Sequence, residues 1–84
     1  MVENCRDWIV QWIKNNSWAD EKVINEALDD SIFEAGWIDS IDFIALYSDI
    51  EEVFNISFSE SDFEQINDSP TVNNMTKIIE AKGK

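Results

Sequence analysis

The chain contains no histidine, a single cysteine and only six lysine or arginine residues among 84. Without histidine, and with Cys5 alone, a disulfide framework, a His/Cys zinc site and a nucleophile–histidine pair are excluded within the chain. We therefore expect neither a metal site nor an enzyme that acts on its own. No apolar stretch of signal length opens the sequence, and no run approaches the span of a bilayer. These absences predict a cytoplasmic protein without membrane insertion.

Acidic residues dominate the charge. Eighteen aspartates and glutamates give a net charge of −12, which repels nucleic-acid phosphates and leaves no basic cluster for an anionic membrane. Basic-faced proteins are the expected partners. A calcium sensor is excluded, since no segment has the alternating ligands, central glycine and closing glutamate of an EF-hand loop. At 44% hydrophobic and 12% aromatic residues, the chain is too apolar for a disordered tail. Its length predicts one domain over 1–84, and we expect that domain to be a monomer.

Hydrophobic spacing predicts an all-α protein. The predicted helices cover about 3–15, 40–54, 60–66 and 71–82, and the connection 17–38 has room for one or two further turns near 20–28. Three longer helices and a short third one, with a long loop between the first two, predict a four-helix bundle.

Caps and breakers set the predicted helix ends. Asp39 with Asp42, and Ser59 with Asp62, resemble N-terminal capping pairs. After a turn over 67–70, Pro70 is expected in the first position of the last helix, which Gly83 closes. Gly36 is expected to adopt a backbone conformation that other residues resist.

The second predicted helix has two different faces. Its core face is expected to contain Phe43, Leu46, Tyr47, Ile50, Val53 and Phe54. Ile41, Ile44 and Ala45 lie among acidic residues on the other side. They either touch a neighbouring loop or helix, or form the apolar centre of a docking surface with a charged rim.

Ser40 stands in the first turn of this helix. Free N–H groups and the helix dipole favour a phosphate there. Because no base lies nearby in the sequence, a visiting enzyme must perform any chemistry at this hydroxyl. An Asp-Ser pair at a helix start is also consistent with simple capping.

Two stretches of sequence surround this serine: Phe33-Glu-Ala-Gly-Trp-Ile-Asp-Ser-Ile-Asp42, and then a helix that ends Ile50-Glu-Glu-Val-Phe54. Together they closely resemble the acyl carrier protein family. The resemblance implies that a separate phosphopantetheinyl transferase moves 4′-phosphopantetheine from coenzyme A to Ser40 in a Mg²⁺-dependent step, with Asp39 preceding the modified serine. It also implies a helix face that partner enzymes contact, containing Ile41, Asp42, Ile44, Asp49, Glu51 and Glu52. Two residues separate Gly36 from Asp39, as in D-alanyl and other stand-alone carriers.

The implied function is that of a discrete acyl or aminoacyl carrier in lipid or secondary-metabolite biosynthesis. The arm would hold its cargo as a thioester, and ligases, synthases or transferases with basic surfaces would load and process it. The alternative is an acidic interaction module that has the carrier fold but is never pantetheinylated. If aromatic side chains fill the bundle, short or amino-acid cargo is favoured over long acyl chains.

Of the four tryptophans, Trp37 is the one expected beside the Ser40 loop. Cys5 is expected to be buried.

Overall fold

Five helices make up the protein in a computed structural model that describes residues 4–82. They are α1 (Cys5–Asn16), α2 (Glu21–Asn25), α3 (Ser40–Phe54), α4 (Glu60–Asp68) and α5 (Val72–Lys82). The described residues contain no strand, which confirms the all-α, acyl-carrier-like bundle. The five-residue α2 occupies the long connection, where one or two turns are predicted.

Short polar side chains begin the helices, as the sequence predicts. Asp39 accepts a hydrogen bond from the Asp42 N–H at 2.9 Å, so the predicted cap of α3 is confirmed. Ser59 and Asp62 form a reciprocal capping box at the start of α4. Each such cap satisfies an N–H group that has no partner within its helix.

The helices surround one core. α5 packs against α1 and α4, and α2 packs against α1. α3 joins them through aromatic contacts, with Trp8 edge-on to Phe54 at 5.4 Å between ring centroids and Tyr47 edge-on to Phe63 at 4.8 Å. The radius of gyration is 11.8 Å, close to the ~12 Å of a compact domain of this length. Fully buried side chains come from every helix and include Ile9, Ile13, Ile24, Leu46, Ile50, Ile66 and Met75.

The junction between α4 and α5 differs from the prediction. α4 continues to Asp68, two residues into the predicted turn, and Pro70 lies before α5 instead of in its first position. Thr71 precedes α5 and caps it, because its hydroxyl accepts a hydrogen bond from the Asn74 N–H at 3.0 Å. The Pro70 carbonyl accepts a hydrogen bond from the Ile32 N–H at 2.9 Å, which ties the junction to the loop before α3. The predicted closing residue Gly83, and residue 3 at the predicted start of α1, lie outside the described residues.

One assignment on α3 was wrong. Val53 was expected in the core but is 44% exposed, since it lies about 80° around the helix from Phe43, at the edge of the buried arc and in the last turn. The expectation for Gly36 is confirmed, because its φ is +76°.

Candidate functional site

Ser40 is the first residue of α3, and its side chain is exposed. Asp39 already caps the helix through its carboxylate, and its carbonyl accepts the Phe43 N–H at 3.0 Å. The Ser40 hydroxyl is therefore not needed for capping. The N–H groups of Ser40 and Ile41 precede the first intrahelical bond and point out of the same helix end. A hydroxyl in this position suits a phosphate ester.

The loop before Ser40 is anchored from two sides. Gly36 turns the chain in the left-handed region, and its carbonyl accepts a hydrogen bond from the Trp18 indole N–H at 2.9 Å. The next two residues, Trp37 and Ile38, are 4% and 5% exposed. Their burial holds the loop against the core, so the serine that follows is presented at the surface.

Trp37, the tryptophan singled out beside the Ser40 loop, packs into the core as one of the aromatic residues expected to fill the bundle. Trp18 is the tryptophan that stays 68% exposed while bonded to the loop. Its distance of 18 residues from Gly36 gives no local pattern that could have revealed this contact.

An exposed stripe runs along α3 from the residue next to Ser40. It follows the i, i+3, i+4, i+7, i+11 spacing of one helix side and consists of Ile41, Ile44, Ala45, Ser48 and Glu52. Ile41 is 76% exposed and Ile44 is 68% exposed. Within residues 4–82 no loop or helix covers either isoleucine, which leaves a small apolar surface beside the serine. Asp42 is half-buried at its edge.

Two carboxylates assigned to the partner-facing side by the resemblance make bonds inside the protein. Asp49 accepts a hydrogen bond from the Trp12 indole N–H at 2.7 Å, which ties α3 to α1. Glu51 accepts one from the Phe58 N–H at 2.9 Å, which ties α3 to the link before α4. Both side chains are half-buried. The structure thus places Asp39, Ile41 and Asp42 next to Ser40, and the exposed stripe continues away from it through Ile44 to Glu52. Asp49 and Glu51 lie closer to the interior.

Among the described residues, no group of three or more carboxylates or thiols is placed to hold a metal ion. Cys5 is buried in the α1 core face, as expected, and burial raises the pKa of its thiol to about 11. This thiol therefore stays protonated and unreactive near neutral pH.

Comparison with known proteins agrees with this geometry. A family model described as the phosphopantetheine attachment site matches residues 16–79, about three quarters of the chain, including Ser40, its anchored loop and the exposed stripe of α3. No curated protein and no solved structure matches the chain significantly. Within the described part of the chain, none of the helices combines the length and the apolar character needed to cross a bilayer.

Proposed function

The chain belongs to the phosphopantetheine attachment site family, a family whose members carry covalently attached 4′-phosphopantetheine, and from that membership we propose that it is an acyl or aminoacyl carrier modified at Ser40. Ser40 is chosen as the attachment site because its side chain is exposed at the start of α3 and its hydroxyl is left free by the Asp39 cap. Residues 1–84 then form one carrier domain, and partner enzymes perform the chemistry.

The residues around Ser40 fit the group. The phosphodiester of the arm carries one negative charge, which the N-terminal end of α3 favours. The Asp39 carboxylate accepts a hydrogen bond from the Asp42 N–H, so it already has a partner within the helix. When bound, the arm supplies a terminal thiol on which cargo is held as a thioester.

The attachment is a phosphoryl transfer to the serine. The Ser40 oxygen forms a bond to the phosphorus that carries the pantetheine of coenzyme A, and the bond from that phosphorus to the bridging oxygen breaks. Adenosine 3′,5′-bisphosphate leaves, and the hydroxyl proton passes to a base of the transferase. This chain contains no histidine that could serve as the base, and the nearest carboxylate, Asp39, accepts the Asp42 N–H.

The partner surface is proposed to be the stripe of α3 together with Asp42. The apolar centre at Ile41 and Ile44 supplies contact area, and the acidic rim guides a basic-faced enzyme to Ser40. The overall charge of −12 adds a long-range attraction that weakens with salt. Asp49 and Glu51 contribute to this field, although their oxygens are bonded internally.

The test is direct modification. The purified protein is incubated with coenzyme A, Mg²⁺ and a promiscuous phosphopantetheinyl transferase and then weighed by mass spectrometry. We expect a gain of one phosphopantetheinyl group, its loss in Ser40→Ala, and its retention in Ser61→Ala, which removes an exposed hydroxyl from the first turn of α4. Absence of the gain, or a gain that survives Ser40→Ala, would refute the proposal and favour the interaction module that is never pantetheinylated.

The cargo is proposed to be short. Aromatic rings of α3 pack against rings from the loop before it and the link after it. The ring centroids of Phe33 and Phe43 lie 4.8 Å apart, and those of Tyr47 and Phe58 lie 5.2 Å apart. A long acyl chain would have to displace these rings, at the cost of their packing. If a long-chain thioester is protected from hydrolysis much more strongly than a short one, this part of the proposal fails.

A further inference from the structure

Tyr47 lies at the centre of an aromatic group on the inner side of α3. Its ring centroid is 4.3 Å from that of Phe43, 4.8 Å from that of Phe63 and 5.2 Å from that of Phe58. These three neighbours belong to α3, to α4 and to the link between them. Tyr47 therefore faces the space where α3 meets α4.

The hydroxyl oxygen of Tyr47 is sealed from solvent and has no hydrogen-bond partner among residues 4–82. A buried polar group without a partner destabilises the fold, whereas a phenylalanine ring would provide the same aromatic contacts without that loss. Packing therefore explains the ring but not the hydroxyl. Burial raises the pKa of this phenol, so it remains a hydrogen-bond donor throughout the neutral range.

The position of Tyr47 relative to Ser40 suggests what the donor meets. The two residues are seven positions apart on α3, which places them on the same side of the helix. Two turns of helix separate them by about 10 Å along the axis. An extended pantetheine arm is longer than this, so a group carried at its end can fold back from Ser40 to the α3–α4 boundary.

Few hydrogen bonds hold the link between α3 and α4 against α3. Glu51 accepts the Phe58 N–H at 2.9 Å, and this bond keeps the link, with its Phe58 ring, next to Tyr47. A small separation of the link from α3 would uncover the hydroxyl without breaking a helix. A saturated hydrocarbon entering there would leave the donor unpaired, whereas cargo with an acceptor oxygen would pair it.

We propose that the Tyr47 hydroxyl is an internal hydrogen-bond donor for the cargo, and that it selects short acyl groups bearing an acceptor oxygen beyond the thioester over hydrocarbon chains of equal length. This inference rests on the proposed attachment at Ser40.

The test compares two cargoes that differ by one carbonyl. Acetoacetyl-coenzyme A and butyryl-coenzyme A are used with the promiscuous transferase to load the wild type, Tyr47→Phe and the control Ser61→Ala, which removes an exposed hydroxyl from α4. Loading is verified by mass. The rate of thioester hydrolysis and the melting temperature are then measured. For acetoacetyl cargo we expect hydrolysis to be about three- to ten-fold faster in Tyr47→Phe than in the wild type, as the loss of one hydrogen bond implies. For butyryl cargo, and for Ser61→Ala, we expect no difference from the wild type.

Melting of the unloaded proteins gives a second readout. Tyr47→Phe should melt at the same temperature as the wild type or higher, because it removes an unpaired donor. A clear drop would mean that the hydroxyl is already bonded within the protein, and would overturn the inference. Equal hydrolysis of acetoacetyl cargo in wild type and Tyr47→Phe, or an equal effect on both cargoes, would also overturn it while leaving the carrier function intact. Failure to load at Ser40 would instead refute the carrier proposal, and this inference with it.

Discussion

Replacing Gly36 by alanine is expected to destabilise the protein by about 1–2 kcal/mol, the usual cost of a left-handed conformation for a residue with a Cβ atom. The φ of +76° requires this conformation. A Cβ atom added here meets nothing within 4 Å, so no steric clash contributes and the whole cost is conformational. For a domain of this size the melting temperature should fall by about 4–15 °C.

Asparagine is the matched control at this position, because it tolerates the left-handed region better than alanine. Gly36→Asn should therefore lose clearly less stability than Gly36→Ala. Urea unfolding followed by tryptophan fluorescence measures both variants, with an unchanged slope showing that the denatured state is not affected. If the two variants are equally destabilised, or if alanine costs less than about 0.3 kcal/mol, the strain argument is refuted.

Three further predictions concern charges. Glu51→Ala should cost about 1–2 kcal/mol in urea unfolding by removing the acceptor of the Phe58 N–H, whereas the exposed neighbour Glu52→Ala should stay within about 0.5 kcal/mol; equal losses would contradict this. Lys82 and the Ser59 backbone lower the pKa of Asp62, so its ionised form stabilises the fold above the ordinary carboxyl pKa. Asp62→Asn should therefore lose at most about 1 kcal/mol at pH 7, and the gap to wild type should close as the pH falls through the lowered pKa; a gap that is unchanged in acid would contradict this. Finally, the melting temperature should rise as salt increases from about 10 mM to 150 mM, since the Debye length shortens from about 30 Å to 8 Å and weakens repulsion among the excess carboxylates; a salt-independent value would contradict this.

Local signals in the sequence predicted the parts of the fold that short-range chemistry decides. The bounds of α3 follow from Asp39 and the apolar spacing behind it, and the start of α4 follows from the Ser59–Asp62 pair, because a cap acts within three residues of itself. The Ser40 position follows from the same signals. The junction at Pro70 was assigned incorrectly, since both Pro70 and Thr71 are suitable near a helix start and the choice depends on the bond from Ile32 to the Pro70 carbonyl.

Long-range hydrogen bonds decided what the sequence pattern left open. Helical periodicity places Asp49 and Glu51 with the other acidic residues of α3, but it contains no information about Trp12 or Phe58, which are their partners. The same limit applies to Trp18, whose indole reaches Gly36 across 18 residues. The unpaired hydroxyl of Tyr47 could not be predicted either, because an aromatic residue in a core arc says nothing about the atoms beyond its ring.

The two sides of α3 divide the requirements of a carrier between them. On the inner side, Asp49 ties the helix to α1 and Glu51 ties it to the following link, so the rod that begins with Ser40 is held at points far from the serine. The outer side, from Ile41 onward, makes no comparable bond within the described residues and is open to contact. A protein that contacts the exposed stripe therefore does not compete for the hydrogen bonds of Asp49 and Glu51 that position the helix. Asp49 and Glu51 therefore hold α3 in place, while the exposed stripe is not used for holding it.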